Sequence, residues 1–163
     1  MTTYPSDGKF LILCEEVKGS SHDPHRKVGV VIVDEAQEVV AQGSNAPPLK
    51  FGLSKSESHS AIAGDPTWKY FMLEHAERNA IFSAHNRGIS LDGATMYGTL
   101  FPCADCARAI VAAGIRRLVV STGDHDTQRD QKWRDHYLYA RQIFKMGGVE
   151  VESVPAVRET KTG

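Results

Sequence analysis

Cysteine is scarce in this chain, three in 163 residues, and there is little surplus charge of either sign. Three thiols are an odd number and far too few for a disulfide scaffold, which excludes the stapled folds of small secreted domains. The net charge is −1 and the isoelectric point is about 6.6, so the chain has no overall basic field. Tight binding to nucleic acid or to an anionic membrane is therefore not expected. No apolar run reaches membrane-spanning length, and the opening MTTYPSDGKF lacks the basic-then-apolar pattern of a secretion signal. These absences lead to the expectation of a soluble, cytoplasmic protein. Internal repeats are missing too, and only the last few residues, RETKTG, read as a frayed tail.

What remains is 41% hydrophobic, enough for one core. The expectation is a single domain over residues 1–157 with a disordered tail at 158–163. A helix is expected near Lys9 to Gly19, with Cys14 on its apolar face as a small core residue. VGVVIV, residues 28–33, is a continuous apolar run and reads as a buried strand. The turn DEAQ then leads into EVVAQG, which completes a hairpin. From Ser44 to Thr67 the periodicity fails among Ser, Pro and Gly, so this stretch reads as a long loop, of a length that is usually functional or disordered. Helices are expected over Glu74–Arg87, 103–114 and Lys132–Met146, and strands over 94–100, 115–122 and 149–154. Such alternation implies a sheet with parallel pairs and helices on both faces, an α/β architecture.

Two short motifs stand out. His75 and Glu77 form H-x-E, and Pro102, Cys103 and Cys106 form P-C-x-x-C, with Pro102 lying 25 positions after Glu77. One imidazole and two thiolates suit zinc and leave a tetrahedral ion one open position, as in catalytic rather than structural sites. Residues two apart do not share a helix face, so His75 and Glu77 can meet one ion only from a helix's first turn. The same holds for Cys103 and Cys106 behind their proline. Two helix N-termini would then converge, and their positive ends favour thiolate. Glu77 would carry a proton from the metal-activated water to the leaving nitrogen. H-x-E with P-C-x-x-C is the signature of the zinc nucleobase deaminases.

Beyond the motifs, the chain resembles the cytidine and deoxycytidylate deaminase superfamily, and most of all the deoxycytidylate (dCMP) deaminases. The stretches SHDPHRKVGVVIV, WKYFMLEHAERNAI, GATMYGTLFPCADCARAIVAAGIRRLVV and MGGVEVESVPA all carry that resemblance. It implies a three-layer α/β/α cytidine-deaminase-like fold with a five-stranded mixed sheet, in a homo-oligomer. The implied reaction is zinc-dependent (Zn2+) hydrolytic deamination of a cytosine nucleotide or nucleoside, with ammonia released. By position, His75, Cys103 and Cys106 would bind zinc and Glu77 would relay protons. Asn45 would bind the sugar or phosphate, and the backbone at Ala76 and Leu100 would read the ring and its amino group.

Two departures accompany the resemblance. In GSNAPP, Ser44 and Ala46 replace the tyrosine and final glycine of the family's turn. After the fourth strand, the family's aspartate-lysine-tyrosine-histidine stretch gives way to STGDHDTQRDQKWRDHY. Deamination of guanine, adenine or a modified pyrimidine therefore stays open, as does a zinc-stabilised binding module with a dead site. His125, Trp133, Arg134 and His136 in the replaced stretch are candidates for substrate contact, with solvated helix and loop residues as the alternative. Trp68, Tyr70 and Phe71 could wall a pocket or seat the following helix. Lys50 and Lys55 could meet a phosphate or merely keep the surface wet. His85 reads as a helix C-terminal charge, and His22, His25 and His59 are given no role.

Overall fold

The structure is a computed structural model and describes residues 4–122 and 127–155; His125 and the expected tail lie outside them. Its sheet runs β2 (Val39–Ser44), β1 (Gly29–Val33), β3 (Thr95–Gly98), β4 (Arg117–Thr122), β5 (Glu150–Pro155). β1 pairs antiparallel with both β2 and β3, whereas β3–β4 and β4–β5 are parallel. The mixed five-stranded sheet expected from the resemblance is present.

β1 is buried along its whole length, as its unbroken apolar run requires, and its side chains alternate between two cores. Val31 and Val33 point with Tyr97 and Val119 toward α1 (Asp7–Val17), meeting Phe10, Leu11 and Cys14. Val30 and Ile32 point with Met96, Leu118 and Val120 to the other face. There they meet α4 (Ala76–Asn86), α5 (Ala104–Ala112) and α6 (Thr127–Gly147) through Ala80, Ile110 and Phe144. The result is helix, sheet and helices in three layers.

Small residues bring α4 close to the sheet. Gly43 of β2 lies against its first turns; a Cβ there would stand 2.6 Å from the Ala80 nitrogen and nearer still to the Ala76 carbonyl oxygen. Ala76, Ala80 and Ala84 face the sheet from the helix side and are buried. α5 closes on Gly114 with φ at +83°, a left-handed conformation that glycine adopts without a Cβ clash.

On the α1 face the sheet also buries charge. Arg117 donates to both carboxylate oxygens of Asp7 (2.9 and 2.7 Å) and to Glu152 (2.7 Å), while Tyr97 Oη donates to Asp7 (2.7 Å). Burial works against the Asp7 charge. The hydrogen bonds from Arg117, the Tyr4 backbone and Tyr97 outweigh it and hold the carboxyl below its usual range.

The stretch from Ser44 to Thr67 corrects the sequence reading. It contains a 3-10 turn at Leu49–Phe51 and a helix, α2 (Lys55–Gly64), followed by α3 (Trp68–Met72). α2 buries only Ser58 and Ile62, so it has almost no apolar stripe to betray it. Its start is set instead by a capping box: Ser54 Oγ accepts from the Glu57 N–H and Glu57 accepts from the Ser54 N–H. α6 likewise begins earlier than expected, at Thr127 rather than Lys132. No helix among the described residues is long and apolar enough to cross a membrane.

Candidate active site

Past the carboxyl end of β3 the chain turns through 99–102 into α5, and α4 approaches the same place from the β2 side. Both helices begin on a candidate ligand, for His75 is the N-cap of α4 and Cys103 the N-cap of α5. Cys106 follows one turn later, and its N–H points at the Cys103 sulfur (3.5 Å). His75 Nδ1 lies 3.5 Å from Cys103 Sγ and 3.4 Å from Cys106 Sγ, and the three donor atoms all fall within 4.8 Å of one another. Zinc bonds of about 2.3 Å to sulfur and about 2.05 Å to nitrogen, at the tetrahedral angle, call for a nitrogen–sulfur edge of about 3.6 Å. The donors fit zinc without rearrangement. No further His, Cys, Asp or Glu joins the triangle among the described residues, which thus supply three donors to a metal that takes four.

The electrostatics suit a dication. Two sulfurs this close share a proton. The hydrogen bond from Cys106 is the first cause bringing Cys103 down to about 4, and the same contact, with burial, pushes Cys106 up. The Cys103 thiolate in turn raises His75 above the ordinary imidazole range. Glu77 is 6% exposed, and desolvation raises its carboxyl despite the opposing pull of its own backbone N–H and of His75. A buried carboxyl whose burial raises its proton affinity, set beside three metal donors, is equipped for proton transfer.

The main chain offers two more groups. Ala76 opens α4, so its N–H has no partner inside the helix, and none is found elsewhere among the described residues. The Leu100 carbonyl, half-buried between β3 and α5, is equally free. Asn45 is engaged: its Oδ1 accepts from Ser21 Oγ (2.6 Å) and from the Val28 N–H (2.9 Å), and its Nδ2 donates to the Arg26 carbonyl (2.7 Å). It braces the 21–28 loop and keeps a single amide N–H for a ligand.

Several residues that hold the site together were not singled out from the sequence. Glu74 Oε1 accepts from the His75 N–H (2.9 Å) and from Arg78 Nε (2.7 Å), which fixes the entry of α4. Asn79 Nδ2 donates to the carbonyls of Ser44 (2.9 Å) and Ala46 (3.1 Å), tying the end of β2 to that helix. The Glu74–Arg78 pair is four positions apart, a spacing that could have signalled it, whereas only the tertiary fold brings Asn79 to carbonyls 33 to 35 positions away.

Other candidates fall as follows. His136 Nδ1 accepts from the Ala104 N–H (3.2 Å), the first of α5, while Trp133 packs on His136 with ring centroids 5.0 Å apart. Arg134 is exposed. Tyr70 and Phe71 are exposed rather than core, and Trp68 is half-buried. Lys55 donates to the Gly19 carbonyl, Lys50 is exposed, and His85 sits in the last turn of α4. His22 Nδ1 is paired with Ser58 Oγ (2.7 Å).

An open mixed sheet whose two adjoining helices aim His, Cys and Cys at one point, with a buried carboxyl alongside, defines a zinc-dependent hydrolytic deaminase. Comparison with known proteins agrees. The chain belongs to the cytidine and deoxycytidylate deaminase family, whose zinc-binding-region profile matches residues 5–122. It is 38% identical over 147 residues to a probable deoxycytidylate deaminase of Drosophila melanogaster, covering 87% of this chain and 68% of that protein. With the human deoxycytidylate deaminase it shares 32% over 130 residues, covering 79% and 68%. The dCMP deaminase of cyanophage S-TIM5, solved with dCMP and dUMP, superposes with a TM-score of 0.68 at 23% identity. That match covers 94% of this chain and 100% of the phage protein, and at this identity the likeness is one of fold.

Proposed function

We propose that this protein converts a cytosine nucleotide of the dCMP type to its uracil form with release of ammonia. The observation that carries the reading is the three-donor triangle of His75, Cys103 and Cys106 with Glu77 buried beside it. Relatives named as deoxycytidylate deaminases at 32% and 38% identity support the choice of substrate.

In this reading His75, Cys103 and Cys106 hold zinc. The chemistry zinc would supply when bound is acidification of its water to a pKa of about 7. Glu77 would pass the proton that water loses on attacking the ring carbon to the neighbouring ring nitrogen, and would then carry the hydroxyl proton of the tetrahedral adduct to the amino nitrogen, which leaves as ammonia as the carbon–nitrogen bond breaks. Burial of Glu77 raises its proton affinity, which favours its taking up a proton. The Ala76 N–H and the Leu100 carbonyl, both without protein partners, hold the ring and its amino group. The remaining N–H of Asn45 reaches the sugar. Residues 1–157 form the deaminase domain.

The test is ammonia release by the zinc-loaded protein from cytidine, dCMP, CMP, cytosine, adenine and guanine compounds. Cytosine nucleotides should be turned over, and Glu77→Gln should lower kcat by about 10²- to 10⁴-fold while keeping its zinc. Turnover of a purine instead would move the substrate assignment, and a protein inert on the whole panel would mark a binding module. The proposal extends to a cytoplasmic homo-oligomer acting on free small molecules. Leu49 and Phe71 stand 98% and 84% exposed in the single chain, which supports self-association. A monomer by light scattering at micromolar concentration would overturn that extension.

A further inference from the structure

Among the described arginines that are not on the exposed surface, Arg78 is paired with Glu74 and Arg117 with Asp7 and Glu152. Arg26 is half-buried and has no carboxylate partner among the described residues. The acid nearest to it in sequence, Asp23, is spent elsewhere. One of its oxygens accepts the N–H groups of His25 (2.9 Å) and Arg26 (3.2 Å), and Lys69 Nζ takes the other at 3.0 Å. Asn45 holds the Arg26 carbonyl from the opposite side. The backbone under Arg26 is thus fixed at several points while its charge is left uncompensated.

The guanidinium itself is seated. One terminal nitrogen donates to Tyr137 Oη (3.0 Å), and the group lies over the Trp133 ring, 5.6 Å from the centroid. Both aromatics come from α6, in the stretch that replaces the family's sequence. Their neighbours lead directly to the metal ligands. Tyr137 packs edge-on against Phe101 (5.8 Å), two residues before Cys103. Trp133 packs on His136, whose Nδ1 receives the N–H of Ala104, the residue after Cys103. A planar cation over an indole, with one donor used and no other partner for its fork among the described residues, is preorganised for a two-point anion.

We propose that Arg26, seated on Trp133 and Tyr137, is the specificity-determining residue that binds the phosphate of a nucleoside 5′-monophosphate. This deepens the proposed function and rests on its assignment of the site. The phosphate oxygens accept the free N–H groups of the fork while the ring reaches the zinc triangle. A nucleoside or free base leaves this partly buried cation without a partner and is selected against.

The experiment compares the zinc-loaded wild type with Arg26→Gln and Arg26→Lys on dCMP and deoxycytidine. Two ratios are read: kcat/KM for dCMP over deoxycytidine, and the corresponding ratio of Kd by calorimetry. In the wild type both ratios should favour dCMP by about 100-fold or more. Arg26→Gln should collapse them to within about tenfold of unity, and Arg26→Lys, which keeps the charge without the fork, should fall between. A purely structural arginine would lower both substrates alike and leave the ratios untouched; that result overturns the proposal, as does a wild type indifferent to phosphate. If no substrate is turned over, the deamination reading fails by itself. The calorimetric ratio still decides whether Arg26 selects the phosphate.

Discussion

Replacing Gly43 with alanine should damage both stability and catalysis although residue 43 is not placed at the metal. The added Cβ would stand 2.6 Å from the Ala80 nitrogen and closer to the Ala76 carbonyl oxygen, where ordinary contact begins at 3.4 Å. The obstructing atoms are helix backbone, which has no rotamer to move into, so β2 and α4 must separate by roughly 1 Å, at a cost of about 1–3 kcal/mol for overpacking. In a chain of this size that corresponds to a fall in Tm of about 2–12 °C. The same displacement moves His75 and Glu77, which lie at the start of α4, away from the cysteines on α5. Zinc sites tolerate about 0.2 Å in ligand distance, and 1 Å of misplacement can cost about 100-fold in rate. Gly8→Ala is the internal control, because a Cβ there meets nothing within 4 Å in the middle of the first turn of α1. Thermal denaturation, zinc content and ammonia release on the two variants complete the test. A Gly43→Ala protein with wild-type Tm and turnover would refute the idea that this strand–helix contact sets the site.

The buried charges of the α1 face predict a pH response. The Asp7 carboxyl is held below its usual range in the fold, so its contribution is present above the unfolded value near 3.8 and is lost as pH falls through the folded value. Asp7→Asn should cost about 3 kcal/mol at pH 7 by removing the buried carboxylate that Arg117 pairs with through two hydrogen bonds, and the gap from wild type should narrow in denaturant melts below pH 4. Metal removal is a separate lever. With free zinc at a hundred times its Kd, binding stabilises the fold by about 2.7 kcal/mol, so chelation should abolish ammonia release and lower Tm by about 5–10 °C. Zinc readdition should restore both, and a Tm indifferent to chelator would speak against zinc at His75, Cys103 and Cys106.

How far the sequence could be read depended on the kind of signal each element carries. β1 was legible because a strand buried on both faces must be apolar at every position. α5 was legible from proline before it and glycine after it. α2 was not, because a helix lying on the surface with two buried residues has no stripe, and the Ser54–Glu57 capping box that starts it is a local polar device. The early start of α6 escaped for the same reason: its first turns are polar.

The sequence by itself determined the chemistry. His75, Glu77, Cys103 and Cys106 each sit within a turn of a helix start, and that local geometry follows from short-range backbone rules. It could not determine what lies around them. Asn45 keeps one amide N–H for a ligand, and that three of its hydrogen bonds brace the 21–28 loop was not written in any local pattern. Arg26 drew no notice until the fold set it against Tyr137, 111 residues away. Pairings across such separations are encoded in how the sheet is ordered and how its helices pack. No local pattern carries them, so only the tertiary structure decided which charges are cancelled and which remain available to a ligand.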